Sequence, residues 1–220
     1  NALWLYDVVT NRLSLETVSN WTRQGGQTVP LPENSTNPTP WDRHSYSCIA
    51  VLPEKNSLYM WGGANASTSI TNGPYGDTWT YDFSLRSWRE IVIEPHPANA
   101  FEQTMVYDSS ARKLVLVSGA IEEYGPGATW TFDVDRETWK QITSSPTPPR
   151  RMSHSMVYDP GRRVSLIFGG GRWPEPGNDL WAFDATTEMW EQVQPSGTIP
   201  PPRRFAALAY DSRHDIILMW

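Results

Sequence analysis

Apolar residues along this chain fall into short runs, and polar turn residues separate the runs at hairpin distances. Val164 to Phe168 is one such run, closed by Gly169-Gly170-Gly171, and Leu114 to Val117 and Ile216 to Met219 are two more. Runs this short, bounded by glycine and proline, predict strands covered on both faces. Ahead of the first stands a mixed polar and apolar segment, Met152 to Asp159, joined to it by the turn Pro160-Gly161-Arg162. Beyond it come a loop, then Asp179 to Asp184, a turn, and Met189 to Val193. The expected unit is therefore a meander of four short strands. A helical reading fails. No window holds an apolar period of about 3.6 residues for long enough, and proline or glycine interrupts throughout.

The unit recurs. Trp79, Trp130 and Trp181 stand 51 residues apart and open Trp79-Thr80-Tyr81-Asp82, Trp130-Thr131-Phe132-Asp133 and Trp181-Ala182-Phe183-Asp184. Nine residues further on lie Trp88, Trp139 and Trp190. A fainter copy begins at Trp4, with Leu13 in the second tryptophan position. A fixed period near 50 residues marks one supersecondary unit stacked several times. Sheets apolar on both faces need a neighbour on each side. Packing them around a ring meets that need and leaves only short edges, which predicts a β-propeller.

These residues resemble the kelch repeat, whose marks are a paired glycine after the second strand, an aromatic opening the third, and a later tryptophan. The glycine pairs are Gly62-Gly63 and Gly169-Gly170, weakened to Ser118-Gly119 in the middle copy. The resemblance covers nearly the whole chain, excepting Ser19 to Pro40. It implies an all-β propeller of four-stranded antiparallel blades, in the superfamily of the galactose oxidase central domain. About four blades' worth is present, which reads as an arc of a six- or seven-bladed ring. Residues 1–18 give a half blade (strands three and four), 41–93, 98–143 and 148–194 give full blades, and 201–220 give strands one and two. Residues 19–40 read as an inserted loop on the binding face or a disordered flap. Joining the half blades into a closed four-bladed ring is the alternative. An arc would expose apolar faces and dissolve poorly by itself.

Repetition also sorts scaffold from function. Recurring residues serve the fold: Trp4 and the paired tryptophans, the glycine pairs, and the turn aspartates Asp82, Asp133, Asp184, Asp108, Asp159 and Asp211. Non-recurring ones sit in the loops between second and third strands, which carry Asn65, Tyr75, Glu122, Glu123, Tyr124, Arg172, Trp173 and Glu175. Variable loops on a shared frame are how a binding surface is built. Arg43, Arg150, Arg151, Arg203 and Arg204 precede first strands and are expected near the channel mouth. There they would hold a carboxylate-bearing partner, or else tie blades together.

Composition narrows the classes. Net charge is −6 and no basic run exceeds two residues, which disfavours nucleic acid. No apolar stretch approaches the roughly 18 residues of a membrane span. Cys48 is the only cysteine, so no internal disulfide forms; it sits in the alternating run Tyr46 to Leu52, a strand position, and reads as a small buried hydrophobe. Sequons at Asn20, Asn34 and Asn65 point weakly toward a secreted or cell-surface protein. No catalytic residue, metal ligand or cofactor is expected, since no nucleophile-base pair, phosphate loop or metal-spaced set is present. The reading is a non-catalytic kelch propeller that binds a protein or peptide, acidic in character if the arginines take it. A secreted copper oxidoreductase similar to galactose oxidase is one alternative. A glycan-binding propeller stacking sugars on Trp173, Tyr75 and Tyr124 is the other.

Overall fold

The computed structural model describes residues 2–7, 9–10, 12–18, 21–24, 27–30, 39–40, 43–63, 75–99, 102–117, 128–171 and 175–220. Three four-stranded antiparallel sheets form its body. The first is β5 (Ile49–Leu52), β6 (Ser57–Gly63), β7 (Tyr75–Asp82) and β8 (Ser87–Ile91). The second is β9 (Thr104–Asp108), β10 (Lys113–Val117), β11 (Thr129–Asp133) and β12 (Thr138–Ile142). The third is β13 (Ser155–Asp159), β14 (Val164–Phe168), β15 (Leu180–Asp184) and β16 (Met189–Val193). Two-stranded sheets flank them: β1 (Ala2–Asp7) with β2 (Arg12–Val18), and β17 (Leu208–Asp211) with β18 (Ile216–Met219). The sheets are the blades of a propeller that does not close into a ring.

The residue pattern explains each sheet. Asp133 Oδ1 accepts the amides of Asp135 and Arg136 at 3.0 and 2.9 Å, and Asp184 does the same for Thr186 and Thr187. These side-chain caps fold the turn between third and fourth strands. The turn fixes one register in every copy, so Tyr81 faces Trp88, Phe132 faces Trp139 and Phe183 faces Trp190. Their ring centroids lie 5.2, 5.0 and 4.9 Å apart. The nine-residue tryptophan spacing is thus a cross-strand aromatic pair, favourable by about 0.5–1.5 kcal/mol beyond its buried area.

Side chains alternate across each second strand and enter two different cores. Leu114 and Leu116 of β10 pack with Tyr59, Trp61, Trp130 and Trp139 on the side of the first sheet. Val115 and Val117 pack with Ile167, Trp181, Phe183 and Trp190 on the side of the third. Burial on both faces is why this strand reads as a continuous apolar run. Polar clamps repeat along with the packing. Trp139 Nε1 donates to Thr78 Oγ1 of the preceding sheet at 2.9 Å, and Trp190 Nε1 donates to Thr129 Oγ1 at 3.1 Å. Arg89 pairs with Glu137, and Lys140 pairs with Glu188 one sheet on. First strands meet side by side, β5 against β9, β9 against β13 and β13 against β17, so they form the inner wall.

Four expectations change. The insertion holds a hairpin of β3 (Trp21–Gln24) and β4 (Gln27–Pro30) rather than an uninterrupted loop, with Gly25-Gly26 between the strands. The run Tyr46 to Leu52 becomes a strand only at Ile49, and Met152 to Asp159 only at Ser155. Tyr46 and Ser153 adopt φ of 50° and 56°, a left-handed conformation that a strand cannot contain. Met152 makes an isolated bridge to Gly171 instead. Trp88, expected in the core with the other tryptophans, is half-buried against Leu58, Met60, Trp79 and Tyr81.

Candidate functional site

Antiparallel meanders divide the molecule into two ends. Tight turns joining strands one to two and three to four lie at one end. Connections from strand two to three, and from sheet to sheet, lie at the other. Of the site residues expected from the sequence, Arg43, Tyr75, Arg151, Arg203 and Arg204 are described, and they belong to this second, loop-bearing end.

The arginines separate into two groups there. Arg43 Nη2 donates to Asp77 Oδ2 at 2.9 Å, while its Nη1 reaches Asp77 Oδ1 and the Gly62 carbonyl, the latter at 2.9 Å. Arg151 repeats this with Asp179 at 3.0 and 2.6 Å and with the Gly169 carbonyl at 2.9 Å. Trp79 Nε1 and Trp181 Nε1 complete the units by donating to those same aspartates at 2.6 and 2.7 Å. The two guanidinium side chains are only 3% and 5% exposed, so both are occupied inside their own sheet. They tie strands within one blade, where the sequence suggested an open cluster or a tie between blades. Burial alone would raise the Asp179 carboxyl, yet the hydrogen bonds and charge of Arg151 outweigh it and hold it below the ordinary range.

The glycine pair exists for this unit. Gly169 and Gly170 take φ of +62° and +70°, and a Cβ on Gly170 would lie 2.7 Å from the His154 amide. Only glycine lets the second strand turn off so close to the inner wall. The sequence already contained the signal for the aspartates: Asp stands two before Trp in both copies that have the arginine and the glycine pair. The middle copy lacks all three, with Ala98-Asn99-Ala100, Ser118-Gly119 and Ala128 in those places.

The other arginines sit differently. Arg150 is exposed; Arg203 and Arg204 are half-buried. Arg203 Nε donates to the Pro201 carbonyl at 3.2 Å, and its own carbonyl accepts the Gly170 amide at 2.9 Å. Tyr75 opens β7, with the Arg43 guanidinium 4.2 Å from its ring centroid. Asn65, Glu122, Glu123, Tyr124, Arg172 and Trp173 lie outside the described residues.

Sequence reasoning missed a row of residues at the head of the inner wall. Tyr46, Glu102, Ser153 and Phe205 occupy one repeat position, and all four are left-handed, with φ of 50°, 54°, 56° and 55°. The backbone is constant while the side chains vary, with aromatics at Tyr46 and Phe205, a carboxylate at Glu102 and a hydroxyl at Ser153. Tyr46 and Phe205 are 40% and 69% exposed, and Ser153 donates its hydroxyl to Glu102. Burial, and then the charge of Glu102, push the Tyr46 phenol up, which places the two as neighbours. Just below, Thr104 Oγ1 and His154 Nε2 share a buried hydrogen bond of 2.7 Å. Burial, with the Arg151 charge second, pulls His154 down to about 3, so its ring is neutral. Cys48 is fully buried and burial pushes its thiol well up, the opposite of an activated nucleophile. Among the described residues no three His, Cys, Asp or Glu side chains are grouped to hold a metal ion.

The repeat geometry and the residues that carry it match a known family model, the KLHDC2/KLHL20/DRC7 Kelch-repeats domain, over residues 1–219. The chain belongs to the kelch-repeat family. Among its relatives are Adagio-like protein 1 of Oryza sativa subsp. japonica, 29% identical over 77% of this chain, and the Rab9 effector protein with kelch motifs of Mus musculus, 26% identical over 74%. Kelch domain-containing protein 3 of Bos taurus is 26% identical over 93%. The matches take in 28%, 44% and 50% of those proteins, so the kelch chain spans at most half of their lengths.

Proposed function

We propose that this kelch propeller is a non-catalytic scaffold that engages a protein or peptide through its loop-bearing end. The observation that carries the reading is the left-handed row at the head of the inner wall. Four backbone sites of one conformation carry Tyr46, Glu102, Ser153 and Phe205, and two of them expose their aromatic rings, Tyr46 and Phe205. Backbone strain there belongs to the scaffold because it recurs, whereas the choice of side chain does not. Exposed aromatics on a rigid frame are the residue type that dominates interface energies. One relative is named an effector of Rab9, and we carry over only the idea of a protein contact.

An acidic partner draws less support than the sequence suggested, because Arg43 and Arg151 already hold carboxylates of their own. Among the described residues, Arg150, Arg203 and Arg204 are the other arginines that precede first strands. Tyr75 is the only described member of the aromatic trio considered for sugar stacking, and the Arg43 guanidinium lies against its ring.

The test is site-specific photo-crosslinking in cells. A photoreactive phenylalanine replaces Tyr46 or Phe205 at the loop-bearing end, and Ser84 or Ser212 at the turn end. Discrete protein adducts from the first pair and none from the second are expected. Adducts confined to the turn end would reverse the assignment.

A further inference from the structure

A cavity of about 550 Å³ opens at the loop-bearing end of the first full sheet. Its walls are the start of β7, the end of β8 and the connection leading to β9. That volume lies within the range of ordinary ligand sites. Glycine shapes it: a Cβ on Gly76 would collide with the Asn99 carboxamide.

The next sheet supplies an internal control. The same place there holds a cavity of about 260 Å³. Shifting by the 51-residue period, Asp77 becomes Ala128, Glu90 becomes Gln141, Ile93 becomes Ser144 and Asn99 becomes Arg150, and all eight residues line their respective cavities. One scaffold thus tolerates both linings, so the fold does not require the acidic one. A lining the fold does not need is a candidate for recognition.

Charge inside the first cavity is unbalanced. Asp77 is matched by Arg43 and by the Trp79 indole. Glu94 has His96 Nε2 at 3.2 Å, and the Nδ1 of that ring is held by the Pro97 carbonyl at 2.8 Å. Among the described residues Glu90 has no such match. Burial first, and then the negative charge of Asp77, raise its carboxyl, with Arg43 offsetting only a part.

We infer that this cavity receives a lysine or arginine side chain of the protein partner, with Glu90 and Glu94 as its counter-charges. The inference rests on the proposal that the loop-bearing end binds protein, and it names the chemistry of one contact there. A cation entering the cavity would meet the negative charge that Glu90 leaves unmatched. The neighbouring cavity, with Ala128, Gln141 and Arg150, would reject it.

Amide chemical shifts of the protein test this, titrated with N-acetyl-arginine amide, N-acetyl-lysine amide and, as the neutral control, N-acetyl-glutamine amide. Saturable shifts at Thr78, Ile91, Val92 and Asn99 with a cationic probe, and none with glutamine, are expected. The Glu90→Gln/Glu94→Gln variant should bind the cation at least about tenfold more weakly, with the rest of its spectrum unchanged. Equal response to the glutamine probe, absence of saturable shifts, or unaltered binding by the variant would each overturn the inference. Because the probes are single residues, failure here beside successful crosslinking from Tyr46 removes only the cation site. Failure of both removes the binding end itself.

Discussion

Arg151 and Asp179 form a nearly buried bidentate pair that also satisfies the Trp181 indole and the Gly169 carbonyl. Removing one partner of such a pair leaves a charge buried without its match, which costs about 3–5 kcal/mol. Arg151→Met and Asp179→Ala should each lower stability by about that much. The double variant should lose clearly less than the sum, as denaturant melts in a double-mutant cycle would show. Lower in the same wall, His154 is held neutral with its titration near 3. A group depressed in the folded state binds its proton first in the unfolded chain, so stability falls as pH drops below the ordinary value near 6.5. From pH 7.5 to pH 5 that loss is about 2 kcal/mol, and it continues toward the folded value. His154→Gln, which copies Gln103 in the adjoining sheet, should flatten this slope in urea melts run across that range. Gln103 offers the converse case. By repeat position it faces Cys48 where His154 faces Thr104, and both its amide atoms are buried without a hydrogen-bond partner among the described residues. Cys48→Ser brings a hydroxyl to that place and should raise stability by about 1 kcal/mol. A drop of similar size would show that Gln103 does not reach it.

The strands differ in how well the sequence announces them, and the difference is physical. Val164–Phe168, Met189–Val193 and Ile216–Met219 fall where the apolar runs placed them, because each is bounded by glycine or by an aspartate-capped turn. The inner strands begin later than expected. Their heads turn at Tyr46 and Ser153, and a left-handed residue other than glycine leaves no compositional mark. Residues 21–30 hide for another reason: Thr22, Arg23, Gln24, Gln27 and Thr28 carry no apolar alternation, and only Gly25-Gly26 hinted at a turn. At the candidate site, spacing alone could not assign the arginines, since their partners lie 34 and 28 residues away. Comparison between copies does assign them, because arginine, aspartate and glycine pair vanish together from the middle sheet. The same comparison isolates the indole clamps. Thr78 and Thr129 precede the third-strand tryptophans and accept from the next sheet, at 2.9 and 3.1 Å. Thr78→Val keeps the shape and strands a buried indole N–H, which costs about 1–3 kcal/mol. Equal losses from Thr78→Val and Thr129→Val, at unchanged denaturant slope, would mark one repeated joint. A loss at only one site would show that the sheets are joined unequally.

Across the whole molecule, the middle sheet has both faces of its second strand covered, and β5 and β18 each leave one face open. In the middle sheet Leu114, Val115, Leu116 and Val117 are all buried because a neighbour lies on either side. On β5 the residues facing away from the second sheet, Ile49 and Val51, are 44% and 52% exposed. On β18 the outward face shows Ile216 and Leu218 at 47% and 54%, with Trp220 beyond it at 92%. These positions are apolar for the same reason as their counterparts in the middle sheet: the repeat presents a face for another blade to cover. An uncovered sheet face of this kind is an association surface in water. The 220-residue chain should therefore self-associate as its concentration is raised, more strongly as salt rises and its charge of −6 is screened. Sedimentation velocity measures this directly. Ile216→Lys/Leu218→Lys places two charges on the exposed face of β18 and leaves the half-buried Ile217 and Met219 unchanged. That variant should shift the distribution toward monomer with little change in the unfolding midpoint, since surface changes of this kind alter stability by about 0.5 kcal/mol or less. A wild-type chain that stays monomeric across the range would mean that the two apolar faces find cover within a single molecule, and the open arrangement of the sheets would have to be abandoned.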